Sequence, residues 1–180
     1  LPGSRQEGYG NLVHCCNVIT DTRTNDVQWV VAMANSLTES GIQEQFKETP
    51  WQYQHDKQQL FHTQTGTNIT LTRDFKGLLN AADGIIGLAG TANEQAAFLR
   101  KPLFSFVGTG PQSSKKRFLE QSKLLGEIMD FCDESELYAI NGNLKAWLEH
   151  VKFKHKSSRK GSPLTKEELV DPGAANAIIE

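Results

Sequence analysis

The sequence predicts an α/β fold in which a mostly parallel sheet carries helices on both faces. Two short apolar runs, 84–88 and 102–107, are each followed by a glycine-rich turn and then by a helical segment. Continuous apolar runs are typical of strands that are buried on both faces of a parallel sheet. Strands that alternate with helices in units of about 25–30 residues indicate βαβ crossovers.

The first part of the chain contains a helix, a strand and a second helix. Apolar residues recur at helical spacing within 6–21, namely at Leu12, Val13, Cys16 and Ile19. The short β-branched run 27–33 predicts a buried parallel strand. Ser36 and Thr38 are the candidate caps of a helix that ends at Phe46.

The middle of the chain is less regular. Residues 48–58 are polar and rich in glutamine, which predicts an irregular segment. Strands are predicted at 60–62 and 69–71, on either side of a turn at 65–67. A short helix is predicted over 75–82.

The remainder of the chain repeats the pattern of strand, turn and helix. The predicted elements are a strand at 84–88, a turn at 89–91, a helix at 92–100, a strand at 102–107, a turn at 108–111, a helix at 113–125, a strand at 128–131, a helix at 134–153 broken near Gly142, a polar loop at 154–170 and a helix from Asp171 or Pro172. This order is that of parallel strands joined by helical crossovers.

The composition excludes several classes of protein. The 180 residues carry 19 basic and 21 acidic side chains, which gives a formal net charge of −2, and 38% of the residues are hydrophobic. This balance differs from that of a disordered chain. It also differs from the clearly basic balance of a dedicated nucleic-acid-binding protein, so no nucleic-acid partner is expected. No apolar stretch approaches the length of about eighteen residues that predicts a membrane span.

The cysteines and histidines predict neither a disulfide framework nor a metal site. Cys15, Cys16 and Cys132 include no CxxC pair, and their odd number fits buried thiols in a reducing cytoplasm. The five histidines have no metal-ligand spacing. The acidic stretch 127–136 is open to two interpretations, a metal site or a solvated surface, and we favour the surface. We therefore expect no metal and no cofactor.

Three loops follow predicted strands, at the edge where α/β sheets bind their ligands. The loops 1–5, 89–95 and 108–112 are rich in glycine and small hydroxyl residues, and two of them open directly onto helices. Backbone amides at a helix N-terminus bind anions, and glycine lets a phosphate approach them closely. The three loops predict a phosphate- or nucleotide-binding edge, although the sequence contains neither GxxxxGK[ST] nor GxGxxG.

Single side chains in these loops have two interpretations each. Glu94, in the first turn of a predicted helix, either accepts hydrogen bonds from a ribose diol or is a favourable charge at the helix N-terminus. Asn93 and Gln95 either contact the ligand or act as caps and surface residues. Arg5 either faces a phosphate or forms a surface salt bridge.

A basic stretch near the end of the chain also has two interpretations. Residues 145–160 carry six basic side chains and one acidic side chain, with Trp147, Val151 and Phe153 interleaved. The stretch either contacts an anionic membrane surface or is a solvated helix end, and we favour the helix end. The expected location is the cytoplasm, with peripheral contact at the inner face of the membrane as the alternative.

The same loops resemble those of lipid-A-disaccharide synthase-related proteins. The opening Leu1-Pro2-Gly3-Ser4-Arg5, followed by Glu7 and Asn11, is similar to the LPGSR…E…N pattern of that family. The further similar segments are 82–96 with its Gly-Thr-Ala turn, Lys101-Pro102, the Gly-Pro-Gln at 110–112, the Gln-x-x-Leu-Leu-Gly at 121–126 and the tail 171–175. The similarity covers 1–35, 74–128 and the tail.

The resemblance implies a fold and a function. The fold is the C-terminal half of a GT-B-type glycosyltransferase, in which two Rossmann-like domains face each other. The chain would be one donor-binding domain over 1–180, a fragment whose first strand and N-terminal domain lie upstream; the Pro2-Gly3 turn at its start supports the same expectation. The implied ligand is a UDP-sugar such as UDP-N-acetylglucosamine, and the implied acceptor is lipid-linked or another sugar.

The resemblance also assigns roles to residues. It implies that Gly90, Thr91 and Ala92 hold the diphosphate, that Glu94 binds the ribose, and that Gln112 and Gln121 face the sugar or acceptor. The candidate binding residues are Gly3, Ser4, Arg5, Gly90, Thr91, Ala92, Asn93, Glu94, Gln95, Gly110, Gln112 and Gln121. No catalytic base is assigned, because it would lie in the N-terminal half. The alternatives are half of a UDP-sugar 2-epimerase and a non-catalytic nucleotide-sugar-binding module.

Overall fold

The computed structural model describes residues 1–22 and 26–160, with side chains as far as Lys152. Its helices and strands, in chain order, are α1 (Glu7–Thr22), β1 (Trp29–Ala32), α2 (Glu39–Phe46), β2 (Trp51–Gln54), β3 (Gln59–His62), β4 (Asn68–Thr72), α3 (Phe75–Ala81), β5 (Ile85–Ile86), α4 (Gly90–Phe98), β6 (Leu103–Phe106), α5 (Lys115–Leu125), β7 (Met129–Cys132) and α6 (Leu137–Lys160). The order of these elements confirms an α/β protein.

The strands form two sheets instead of the single sheet that the sequence predicts. One sheet is parallel throughout, with the order β5-β6-β7, and the other is mixed, with the order β1-β4-β3-β2. In the mixed sheet only β1 and β4 are parallel, while β3 pairs antiparallel with both β4 and β2. All four residues of β6 are buried. Because successive side chains of a strand point to opposite faces, helices cover the parallel sheet on both faces, as predicted.

The two sheets lie on either side of a groove, with strand β1 of one sheet on one side and strand β5 of the other sheet on the opposite side. The groove has a volume of about 350 Å³, and Leu1 and Pro2 contribute to its wall. The Leu1 nitrogen donates to the Ile86 carbonyl at 2.8 Å, and the Leu88 nitrogen donates to the Leu1 carbonyl at 2.9 Å. These two bonds are a parallel ladder, so the start of the described chain is fixed beside β5.

The segment 48–58, predicted to be irregular, contains β2 and a 3₁₀ turn at His55–Lys57. Trp51 of β2 is buried, and its ring lies 4.9 Å from that of His62 on β3. The sequence Trp-Gln-Tyr-Gln alternates apolar and polar residues, which is the pattern of a strand with one buried face. The prediction was wrong because the polar residues of that alternation resemble a loop.

Helix α1 lies between the two hydrophobic cores of the molecule. Cys15 and Val18 belong to the core of the parallel sheet, whereas Leu12, Cys16 and Ile19 belong to the core of the mixed sheet. Both thiols are free and buried, and burial raises the pKa of Cys15 to about 11. These two thiols are therefore core residues, as predicted, and α1 joins the halves of the fold.

Helix α6 is longer than predicted and has no break at Gly142. It extends to Lys160, so the part of the predicted polar loop up to that residue is helical. The predictions for 161–180, a polar loop and a terminal helix, lie outside the described residues. Trp147 and Val151 are buried in the core of the parallel sheet. These two side chains are therefore not available for the membrane contact that was the alternative interpretation of 145–160.

Two further observations concern the alternative of a membrane contact. The Lys152 ammonium pairs with Asp26 at 2.8 Å and with Glu149 at 3.0 Å, which raises its pKa. Within residues 1–22 and 26–160, no helix is long and apolar enough to cross a membrane.

Candidate functional site

The three predicted loops line one cleft. This cleft, with a volume of about 400 Å³, lies at the carboxyl ends of β1, β5 and β6. We refer to residues 1–6 as the first loop, 87–89 as the second loop and 107–114 as the third loop. The second and third loops lead into α4 and α5, and the first leads into α1, so three helix N-termini surround the cleft.

Glycines let the first loop and α1 pack closely. Gly3 has φ +108, a left-handed conformation that favours glycine. A Cβ on Gly8 would lie 2.8 Å from the Gly3 carbonyl oxygen, so the first turn of α1 touches the loop backbone directly. The Ser4 carbonyl accepts a hydrogen bond from Ser36. These contacts place Ser4 and Arg5 at the rim of the cleft.

The N-terminus of α4 opens onto the cleft without a side-chain cap. Ala89 has the extended backbone of an N-cap residue, with φ −133 and ψ 126, but its side chain has no oxygen to accept a hydrogen bond. A Cβ on Gly90 would meet no atom within 4 Å. The first amides of an α-helix have no intrahelical acceptor. Because Gly90, Thr91 and Ala92 line the cleft, the start of α4 offers their amides to an anion there.

The third loop contacts the start of α1. Gly110 has φ +83, and a Cβ on it would lie 2.2 Å from Cγ of Glu7. A Cβ on Gly108 would lie 2.6 Å from Oδ1 of Asn11. Glycine is required at both positions because side chains of α1 occupy the space beside them. Thr109 and Gln112 line the cleft from this loop.

The buried side chain of Asn11 connects the loops. Its Nδ2 donates to the Pro2 carbonyl and to Ser113 Oγ, each at 3.0 Å. Its Oδ1 accepts from the Thr109 nitrogen at 2.7 Å and from the Thr109 hydroxyl at 2.9 Å. Ser113 Oγ in turn donates to the Leu88 carbonyl at 2.9 Å. The pair of Asn11 and Ser113 therefore joins all three loops, and Asn11 makes every hydrogen bond that its amide allows.

A second polar network lies beneath α4. Asn93 Nδ2 donates to Gln121 Oε1 at 2.9 Å, and Gln121 Nε2 donates to the Gly90 carbonyl at 2.9 Å. Ser105 Oγ donates to the Gly87 carbonyl at 2.7 Å. Asn93 and Gln121 are both buried, so they fix the position of the Gly90 turn from below and do not face the cleft.

The charges around the cleft are unequal. Arg5 and Arg117 line it with one carboxylate, Glu7. The Arg117 guanidinium is 4.0 Å from Glu120, whereas nearby Lys115 is held by Asp133 at 2.8 Å, an ion pair that raises the pKa of the lysine. The two arginines and three helix N-termini give the cleft a positive potential.

One wall of the cleft is apolar. Met33 and Ala34 follow β1, and Phe75 begins α3. Phe75 is partly exposed and lines the cleft. A flat, uncharged ring fits beside such a wall, while an anionic group fits at the amides of α4.

Eight of the twelve candidate binding residues line the cleft: Gly3, Ser4, Arg5, Gly90, Thr91, Ala92, Gln95 and Gln112. The other four do not: Asn93, Glu94, Gly110 and Gln121. Thr91 and Gln95 are four residues apart and therefore share the cleft face of α4, whereas Glu94 is on an exposed part of the helix. Gly110 lies against Glu7 outside the lining.

The cleft lining also includes residues that the sequence does not predict to bind a ligand, among them Glu7, Phe75, Thr109 and Arg117. Glu7 was noted only as part of the family pattern. Arg117 lies one helical turn after the third loop. That spacing is the sequence signal that could have identified it as a cleft residue. No group of three or more metal-ligating side chains occurs among the described residues.

Comparison with protein-family models, with curated proteins and with solved structures finds no match to this chain.

Proposed function

We propose that this chain is the donor-nucleotide-binding domain of a UDP-sugar-dependent glycosyltransferase, the C-terminal half of a GT-B-type fold. The single observation that carries the proposal is the uncapped N-terminus of α4, whose amides face a cleft between Arg5 and Arg117. A diphosphate is an anion that needs several donors and at least one cation. The cleft offers both in one place.

The order of the cleft walls fits the parts of a nucleotide sugar. Met33 and Phe75 lie at the ends of β1 and β4, Gly90 follows β5, and Thr109 follows β6. A ligand that crosses the cleft along this order meets an apolar wall, then an amide-rich turn, then a polar loop. A base, a diphosphate and a sugar are complementary to these three regions in turn.

The reaction would need groups from outside this chain. Inverting transfer requires a base that deprotonates the acceptor hydroxyl and an environment that stabilises the leaving diphosphate. The amides and arginines suit the second task. We place the base in an N-terminal domain, and we expect the isolated domain to bind a UDP-sugar without turning it over. The acceptor would be lipid-linked or another sugar.

Calorimetry with UDP and with inorganic phosphate tests the proposal. We expect UDP to bind at least about tenfold more tightly than phosphate, since only UDP contacts both the amides and the apolar wall. Equal affinities would contradict a nucleotide site. Assays of UDP-sugar turnover by the full-length protein, with and without sugar acceptors, then separate transfer from epimerisation and from binding alone.

Two glycine variants locate the site. Both Gly90 and Gly142 are helical, and a Cβ on either meets no atom within 4 Å. Gly90→Ala places a methyl group over the α4 amides, and we expect it to weaken UDP binding about tenfold without lowering stability. Gly142→Ala is the matched control and leaves affinity unchanged. Equal UDP affinities for the two variants would place the diphosphate elsewhere.

A further inference from the structure

Glu7 is the one carboxylate in the lining of the otherwise cationic cleft. Its side chain is partly buried in the first turn of α1. Among the described residues, its carboxylate forms neither an ion pair nor a hydrogen bond with another side chain. A carboxylate acceptor without a side-chain partner is therefore available to a ligand.

The third loop fixes the Glu7 side chain. Gly110, with φ +83, leaves room for the Glu7 stem, and even a Cβ at that position would be 2.2 Å from Cγ of Glu7. The Thr109 hydroxyl, which donates to Asn11 Oδ1, also lies 3.3 Å from the Glu7 backbone carbonyl. Thr109 is itself held by Asn11, whose Oδ1 accepts from the Thr109 nitrogen at 2.7 Å. Glu7 is thus held against the third loop.

The position of Glu7 determines which part of a ligand it can contact. It lies against the loop that follows β6, while the apolar wall lies beyond β1 and the α4 amides lie between them. A carboxylate repels a phosphate, whereas it accepts hydrogen bonds from uncharged hydroxyl groups. The ligand group beside Glu7 must therefore carry hydroxyls and no negative charge.

We propose that Glu7 accepts hydrogen bonds from hydroxyl groups of the glycosyl unit of a nucleoside diphosphate sugar, and so makes the cleft selective for the sugar-bearing donor over the free diphosphate. This role rests on the function proposed above. Glu7 is a binding residue that discriminates between donor and product. It acts on the same ligand as the α4 amides but on a different part of that ligand.

Calorimetry with two probes, UDP and UDP-N-acetylglucosamine, tests this role in wild type, Glu7→Gln and Glu7→Asp. We expect Glu7→Gln to weaken UDP-N-acetylglucosamine binding about tenfold and to leave UDP binding unchanged or tighter, since the variant removes a charged acceptor and a repulsive charge. Glu7→Asp keeps the charge and should recover part of the selectivity. Glu44→Gln, an exposed residue of α2, is the control.

Equal changes in the affinities for both probes would overturn the role of Glu7. A lower melting temperature of Glu7→Gln with both affinities unchanged would also overturn it, and would leave Glu7 as a helix-terminal charge. Failure of wild type to bind UDP would instead overturn the proposed function, and the role of Glu7 with it. The two failures are distinguished by the wild-type UDP titration alone.

Discussion

The starts of α2, α3 and α5 differ from the start of α4. In α2, α3 and α5 a side-chain oxygen accepts a hydrogen bond from an amide of the first turn. These bonds are Thr38 Oγ1 to the Gly41 nitrogen at 3.1 Å, Asp74 Oδ1 to the Gly77 nitrogen at 2.8 Å and Ser114 Oγ to the Arg117 nitrogen at 3.4 Å. At α4 the corresponding residue is Ala89, which makes no such bond.

This difference shows where the fold leaves donors unused. An N-cap side chain contributes about 0.5–2 kcal/mol to the stability of its helix. Ala89 cannot make that contribution, because its side chain has no oxygen, although its backbone has the conformation of an N-cap residue. In each of the three capped helices a side chain satisfies one first-turn amide, whereas no side chain caps the amides of α4, which starts in the cleft lining. We therefore expect that removing a cap from α2, α3 or α5 lowers stability alone, whereas adding a cap to α4 raises stability and lowers ligand affinity.

The largest effect is expected from Asn11→Ala. This substitution removes four hydrogen bonds and leaves buried partners in the first and third loops unpaired, so we expect a loss of about 2–4 kcal/mol in the free energy of unfolding. UDP affinity should also fall, because the substitution removes the hydrogen bonds that hold the loops around α4 together. Thermal melts and calorimetry measure the two effects. Asn143→Ala removes one exposed bond and is the control; equal melting of both variants would contradict the role of Asn11.

Removal of the side-chain cap of α3 should lower stability and leave UDP affinity unchanged. Asp74→Ala deletes the acceptor of the Gly77 amide, so we expect the free energy of unfolding to fall by about 1 kcal/mol. UDP affinity should stay within about twofold of wild type, since this cap serves only its own helix. Chemical denaturation and calorimetry check the two outcomes. Asp74→Asn keeps a capping oxygen and should restore most of the stability; a large loss of UDP affinity in Asp74→Ala would remove the distinction between the helix starts.

Glu94→Gln tests the ribose contact that the family resemblance implies. A ribose-binding carboxylate would lose about 1–3 kcal/mol of nucleotide affinity on this change. Because Glu94 is exposed and does not line the cleft, we expect the change in UDP affinity to be smaller than that. Titration of wild type and variant with UDP measures it. A tenfold loss would instead support the ribose role and indicate that α4 turns when the nucleotide binds.

His14 gives the smallest predicted effect, which concerns pH. The ring lies edge-on to Phe106 at 5.1 Å, and burial lowers the pKa of the imidazole below 6.5, partly offset by a hydrogen bond to Val107. The unfolded chain binds the proton more readily, so stability is lost as pH falls from 6.5 through the folded-state pKa. His14→Gln should show a weaker pH dependence in this window. Parallel curves for both proteins would contradict this.

The elements around the cleft were predictable because their signals are local. The apolar runs at β5 and β6, each followed by glycine and a helix, predict parallel strands without knowledge of distant residues. The structure confirms strands within both runs, Ile85–Ile86 and Leu103–Phe106. The meeting of the three loops follows from the same pattern, since the carboxyl ends of parallel strands share one edge.

The connections within the site were not predictable because they are long-range. Asn11 and Ser113 are 102 positions apart, and an isolated asparagine and serine carry no sign that they bond to each other. Gln121 was assigned to the sugar, but its amide is used by Gly90 inside the fold. Gly142 was expected to break α6, because glycine costs a helix about 1 kcal/mol. The hydrophobic free energy gained by burying Leu144, Trp147 and Leu148 on that helix is larger than this cost.

Ala89→Asp tests the central claim most directly, because it gives α4 a side-chain cap like those of α2, α3 and α5. We expect the free energy of unfolding to rise by about 0.5–2 kcal/mol. UDP affinity should fall by more than about tenfold, since the new carboxylate occupies the amides and repels the diphosphate. Ala89→Asn caps without charge and should weaken UDP less. Raised stability with unchanged UDP affinity would contradict the claim that the α4 amides bind the ligand.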